Sequence, residues 1–187
     1  TILSKFDDLS EMARVYNNLG DAHMNKNDWA GAISNLEKCM EISGKTNNRN
    51  YMAWSLFNAA ECYANSGNPD KALEYCSRSL KISESIEDKI GIYEVYKNRA
   101  IAYRMKGEMG GAIENHAKSI ELAKELNLPY DMAKIKYEMG MTYKVAGERE
   151  KALSLFRDSL ETFTKIHMEK KIDMVAKEIA ELEGRAK

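Results

Sequence analysis

Proline is scarce in this chain: two residues in 187, beside three cysteines and three histidines. With 44% hydrophobic and 30% charged residues, bulk disorder is excluded, because there is enough apolar surface to bury. The cysteines, Cys39, Cys62 and Cys76, are odd in number and lie inside helical patterns, which suits free thiols in a reducing compartment rather than a disulfide framework. Their gaps of 23 and 14 residues match no zinc spacing, so no metal is expected. Charge of one sign is missing as well. A net charge of −1 leaves no global field for nucleic acid or anionic lipid. No apolar run approaches the roughly 20 residues that span a bilayer, and no signal-peptide pattern opens the sequence. These absences point to a cytoplasmic chain with neither nucleic acid nor membrane as partner. The catalytic motifs are absent too: there is no glycine-rich phosphate loop, His-Glu-x-x-His, Gly-x-Ser-x-Gly or Cys-x-x-Cys. The one glycine pair, Gly110-Gly111, falls at the start of a helix, where it makes a flexible first turn. No cofactor and no enzyme activity are expected.

What the chain has is a period. Ala32, Ala72, Ala112 and Ala152 recur every 40 residues. Asn27, Gly67, Gly107 and Gly147 form a second column of helix-stop residues, and His23, Tyr63, Tyr103 and Tyr143 a third, of rings. Three columns in register over four copies make an array of stacked units. Each unit reads as two helices. In the first, Tyr16, Leu19, Gly20 and His23 share one face, Asn27 stops the helix, and Asp28 caps the next, whose stripe is Ala32, Ile33, Leu36 and Met40. Gly20, Ala60, Ala100 and Gly140 sit in the middle of first helices, where glycine costs about 1 kcal/mol against alanine. Accepting that cost implies a close helix crossing, with the alanine column as the facing contact. His23 and His116 occupy ring and apolar columns, which gives them structural roles.

These columns resemble the tetratricopeptide repeat, through Leu19-Gly20 and His23 of the first helix and the glycine, alanine and apolar columns that follow. The resemblance covers almost the whole chain, with repeats of 40 residues against the usual roughly 34. Long repeats of this kind are similar to those of kinesin light chains, Pins-type spindle adaptors and the peptide-sensing domains of some bacterial regulators. It implies an all-α fold, a right-handed α-α superhelix of helix-turn-helix repeats. The expected division is 1–8 as the tail of a preceding repeat, 9–46, 47–86, 87–127 and 128–168 as repeats one to four, and 169–187 as a terminal capping helix. Residues 1–8 are placed there because Ile2, Phe6, Asp7 and Asp8 align with Ile42, Ile86, Glu87 and Asp88. The last helix, rich in glutamate at Glu178, Glu181 and Glu183, is polar enough to act as a solvating cap. Departures are Lys136 where Tyr16 and Tyr96 stand, and Arg99 where Leu19 stands.

By the same resemblance the first helices line a concave groove. The face roughly opposite the first stripe carries Arg14, Asn17, Asn18, Asp21 and Met24. Its equivalents are Trp54, Phe57, Asn58 and Glu61 in repeat two, then Glu94, Lys97, Asn98, Ile101 and Arg104, then Lys134, Tyr137, Glu138, Met141 and Lys144. Asn18, Asn58 and Asn98 share a column. An amide offers donor and acceptor together, which suits a peptide backbone; the plainer account is a solvated polar face. Trp54, Phe57, Ile101, Tyr137 and Met141 are apolar or aromatic on a face that has no packing need to be so, which marks binding when clustered. Trp54 either lines the groove or packs on the adjoining helix.

Asp21, Glu61 and Glu94 mark an acidic first part of the groove and Lys97, Arg104, Lys134 and Lys144 a basic later part, with Arg14 and Glu138 as exceptions. The expected partner is therefore a protein or peptide with an acidic segment at repeats three and four. The two-carboxylate clamp of chaperone-tail tetratricopeptide domains is incomplete, since Asp21, Glu61, Glu94 and Glu138 fall among its key positions. The leading expectation is a non-catalytic module, an adaptor or scaffold that holds an extended peptide or partner helix. The alternative is a regulatory or sensory domain of a larger signalling enzyme or transcription regulator. Self-association through an open first repeat is a third.

Overall fold

The computed structural model describes the backbone over residues 2–184 and side chains over residues 8–184. Among these residues it is all helix and turn: α1 (Ile2–Met24), α2 (Trp29–Thr46), α3 (Arg49–Asn65), α4 (Pro69–Ser85), α5 (Lys89–Met105), α6 (Met109–Glu125), α7 (Pro129–Val145), α8 (Arg149–Lys165) and α9 (Glu169–Leu182).

The turns show that each 40-residue repeat is two half-repeats of twenty. Positive φ angles fall at Asn27, Asn47, Gly67, Glu87, Gly107, Asn127, Gly147 and His167, at intervals of twenty. At each, the N–H of the following residue reaches the carbonyl five residues back, as in Asp28 to His23 at 3.0 Å and Met168 to Phe163 at 3.0 Å. This is the Schellman closure that satisfies the helix's last carbonyls. Helices α3 to α8 are 17 residues each, about 25 Å long. The sequence columns caught the positions 27, 67, 107 and 147 and missed the interleaved set. Glu87 and His167 are the reason, since neither residue type announces a left-handed turn. Both pay for that conformation. Glu87→Gly and His167→Gly should each stabilise the fold by about 0.5–1 kcal/mol; urea unfolding midpoints that fail to rise would refute this.

Side chains cap the starts of the early helices. Asp28, Asn48, Asn68 and Asp88 each accept the N–H of the residue three places on. Glu108, Leu128, Glu148 and Met168 make no such bond. A cap contributes about 1 kcal/mol, so the second half of the array is the less tightly terminated.

Within a repeat the two helices cross where the mid-helix glycines lie, but their facing contact is not the alanine column. A Cβ on Gly20 would stand 2.7 Å from Leu36 Cδ2, and one on Gly140 would stand 2.7 Å from Phe156 Cε1. The partner is thus four residues beyond the alanine. At the corresponding positions Ala60 packs in one cluster with Cys76, and Ala100 is matched in register with His116. Glycine meets the large partners Leu36 and Phe156, whereas Cys76 faces an alanine. A serine column ties the same pairs: Ser79, Ser119 and Ser159, all buried, donate to the carbonyls of Ala53, Tyr93 and Ala133 at 2.8, 3.0 and 2.8 Å.

Helices stack in chain order, and first helices also touch one another, α1 with α3, α3 with α5 and α5 with α7. Second helices make no comparable contacts, so the first helices form the inner wall. The expected tail of a preceding helix at residues 1–8 meets a difference. Residue 1 and the side chains of residues 2–7 lie outside the described residues, but the backbone of α1 runs unbroken from Ile2 to Met24, with no turn near residue 8. The later first helices all begin after a left-handed residue. On α1 the stripe Met12, Val15 and Leu19 is 43%, 45% and 42% exposed, while the equivalents of Val15, namely Val95, Ile135 and Val175, are fully buried. That is the face on which α5, α7 and α9 receive the preceding second helix.

Candidate functional site

The inner wall is built from the residues that the period placed on it, and most of them are engaged with one another. Asn58 Nδ2 donates to Asp21 Oδ1 at 2.8 Å, linking α3 to α1. Asn98 is fully buried and its Nδ2 donates to the Phe57 carbonyl at 2.9 Å, linking α5 to α3. Arg104 donates to the Glu138 carbonyl at 2.9 Å and to its carboxylate at 2.8 Å, linking α5 to α7. Lys144 reaches Glu178 at 2.5 Å and Glu181 at 2.8 Å, linking α7 to α9. Trp54 donates its indole N–H to Asp88 at 2.9 Å and meets Tyr51 edge-on. The face read as a ligand surface is thus in large part the seam between neighbouring repeats.

Three of the candidates are largely covered: Asn17, Lys97 and Asn98 are each at least nine-tenths buried, and of these Lys97 borders the pocket described below. The amide column is not a uniform peptide clamp: Asn18 is exposed, Asn58 is spent on Asp21, and Asn98 is inside the seam. The expected basic half of the groove is also largely neutralised. Burial works against the charge on Lys97, but Glu61, at 3.4 Å, and Glu94 outweigh it and hold the ammonium above the usual lysine range. Burial likewise opposes the charge on Glu94, and Lys97 overcomes it, keeping that carboxyl low. The Glu178 and Glu181 carboxylates raise Lys144. Replacing Lys97 with Glu would put a third carboxylate against Glu61 and Glu94, which challenges folding before it challenges binding.

Six candidates converge on an open pocket of about 150 Å³: Glu61 on α3, Lys97 and Ile101 on α5, and Lys134, Tyr137 and Glu138 on α7. It is completed by Asn65, Phe163, Lys171 and Met174, the last two from α9. The volume suits one aliphatic or aromatic side chain, close to the size of cavities that admit benzene. Burial pushes the Tyr137 hydroxyl up to about 12, so its ring enters as a neutral wall packed 5.6 Å from Phe156. Met174 and Lys171 were missed because α9 reads as a polar cap. Extending the columns by another forty finds Met174 directly, after Trp54, Glu94 and Lys134. The remaining candidates lie elsewhere on the wall: Arg14 is exposed and paired with Glu11, and Met141 packs with the α7–α9 cluster.

The titratable groups away from the wall are structural. His23 Nδ1 lies 2.7 Å from the capping Asp28, and His167 is a left-handed turn residue. His116 is fully buried, with Nε2 3.2 Å from Thr142 Oγ1. Since Thr142 donates to the Glu138 carbonyl at 3.1 Å, Nε2 carries the proton toward Thr142. Burial, then the Arg104 charge, push His116 down to about 3. The three cysteines are free and buried, and burial raises Cys62 and Cys76 to about 12. Among the described residues no cluster of His, Cys, Asp and Glu is disposed to hold a metal, and no helix is long and apolar enough to cross a membrane.

No curated protein sequence matches the chain. Among solved structures, a Rap protein complexed with competence and sporulation factor superposes with a TM-score of 0.77 at 16% identity, over 93% of this chain and 54% of that one. Apo RapI gives 0.72 at 16% identity, over 84% and 57%. BtubC (BKLC) from P. vanneervenii gives 0.69 at 13% identity, over 94% and 81%. The chain therefore spans a little over half the length of the Rap structures, and these likenesses concern the fold. The tetratricopeptide repeat profile matches residues 11–85 and, one repeat on, residues 51–125. These two matches cover more than half of the sequence, and the turns, glycine crossings and stacked first helices follow the same period: the chain belongs to the tetratricopeptide repeat family.

Proposed function

We propose that this chain is a non-catalytic interaction module that holds an extended peptide or partner helix against the wall formed by α1, α3, α5 and α7. The observation that carries the reading is the pocket where Ile101, Tyr137, Phe163 and Met174 meet, rimmed by charged side chains, in a wall otherwise closed by ion pairs and side-chain hydrogen bonds. Such a recess takes an anchoring side chain, the kind of contact that dominates binding energy. The family is built for protein contacts, and a Rap structure of the same fold is complexed with competence and sporulation factor. The acidic segment expected of the partner narrows to a contact near Lys171, because Lys97, Arg104 and Lys144 already hold carboxylates and Lys134 lies 4.0 Å from Asp131. The setting we propose is a cytoplasmic adaptor or scaffold.

Two further readings have observations of their own. A regulatory domain within a larger signalling protein accords with the Rap structures, of which this chain spans a little over half. Self-association through α1 accords with the exposed stripe Met12, Val15 and Leu19. The groove reading is tested with a fluorescent peptide selected on the native protein from a random display library. Met174→Glu with Tyr137→Ala is expected to weaken it on the order of a hundredfold, as loss of a central anchor does. Lys118→Glu, on the exposed side of α6, is expected to leave it unchanged. Equal affinity in all three proteins would remove the groove from the account.

A further inference from the structure

Most of the wall's charges are paired among the described residues, and Asp21 on α1 and Lys171 on α9 are not. Asp21 has no cation. Its carboxylate is oriented by two amide groups, Asn58 at 2.8 Å and Asn17 at 3.4 Å, which place the charge without neutralising it. Burial, then the charge of Glu61, push its carboxyl above the usual range. Asn17 is more than nine-tenths buried beside it, and its Oδ1 has no partner. Glu61 shares Lys97 with Glu94, so this end of the wall carries more negative charge than positive. Lys171 is the opposite case. It lines the pocket from α9, and its ammonium has no ion pair among the described residues, whereas Lys97, Arg104 and Lys144 all do.

Resting on the groove reading, we infer that the occupant is a peptide bound in one direction. A cationic side chain lies over Asp21 and Glu61, an apolar side chain fills the pocket at Ile101, Tyr137 and Met174, and an anionic group meets Lys171. Charge complementarity carries the assignment: the cation relieves the repulsion between Asp21 and Glu61, and the anion pairs the pocket's ammonium that has no ion pair among the described residues. The reverse direction would set the ligand's cation against Lys171 and its anion against Asp21, a double like-charge contact that rejects it. Neighbouring first helices pack at about 10 Å, and Glu61 on α3 lines the pocket, so Asp21 on α1 stands about one helix spacing from it, or about three extended residues. Lys171 lines the pocket itself, so the anionic group follows the apolar residue directly.

The test is a random display library of about 12-residue peptides, long enough for that span, panned on the native protein, on Lys171→Glu and on Asp21→Asn. The native protein should enrich a basic residue, then an apolar one, with an acidic residue beside the apolar one. Lys171→Glu should exchange the acidic position for a basic one and leave the rest. Asp21→Asn should lose the basic preference alone. The native consensus peptide should bind Lys171→Glu about tenfold more weakly and recover when its acidic residue is changed to lysine. A consensus identical on the native protein and on Lys171→Glu overturns the charge assignment and leaves the groove reading standing. Enrichment on none of the three proteins overturns the groove reading itself. Melting curves of both variants confirm that folded protein is compared.

Discussion

Gly140→Ala lowers the stability of the array, although alanine is the better helix former by about 1 kcal/mol. The new Cβ would stand 2.7 and 2.8 Å from Phe156 Cε1 and Cδ1. The Phe156 ring is fully buried, so it has nowhere to withdraw. The expected net loss is about 1–3 kcal/mol, the usual cost of overpacking a close crossing. Phe156→Cys alone leaves a cavity and costs about 3–5 kcal/mol. Together the two changes reproduce the alanine–cysteine pairing of Ala60 and Cys76. The double variant is therefore expected to lose about 1–2 kcal/mol less than the two single losses summed. Strict additivity in a denaturant double-mutant cycle would mean that the two residues do not meet.

Acid should unfold this chain earlier than its carboxylates alone require. His116 is held down to about 3 in the folded state, against an ordinary value of 6.5. A base with a depressed folded value is neutral when folded and takes up a proton on unfolding. Its contribution is complete above 6.5 and is lost as the pH falls from there toward 3, at about 1.4 kcal/mol per pH unit. Between pH 7.5 and pH 4.5 the loss is about 3 kcal/mol. Glu94, with its lowered value, loses stability in the same direction but only near and below 4.5; Asp21, with its raised value, changes in the opposite sense. His116→Leu removes the imidazole and leaves those two in place, so its stability should change about 3 kcal/mol less over the same interval. Parallel pH profiles for native protein and variant would contradict the assignment. The imidazole reaches the wall through Thr142 to the Glu138 carbonyl, which also accepts from Arg104. Acid should therefore loosen the α5–α7 seam first.

The repeat was legible because its core columns depend on local packing that recurs. A glycine in mid-helix at positions 20 and 140 implies a close crossing whatever the partner is. The partner itself was misassigned to the alanine column, because the crossing lies one helical turn further along, at Leu36 and Phe156. The site was legible only in part. Helical spacing places Lys97 and Asn98 on the inner face, but whether the preceding first helix covers them depends on how tightly the superhelix winds, which no single repeat encodes. Lys171 and Met174 escaped for a different reason: the glutamates of α9 mark it as a terminus and mask that it continues the inner wall.

The central claim is that ligand binds on the inner wall, and amide hydrogen exchange with and without the selected peptide tests it most directly. Binding is predicted to slow exchange in α3, α5, α7 and α9 around Glu61, Ile101, Tyr137 and Met174, and to leave α2, α4 and α6 unchanged. Protection confined to the stripe Met12, Val15 and Leu19 on α1, or to the outer second helices, would contradict it.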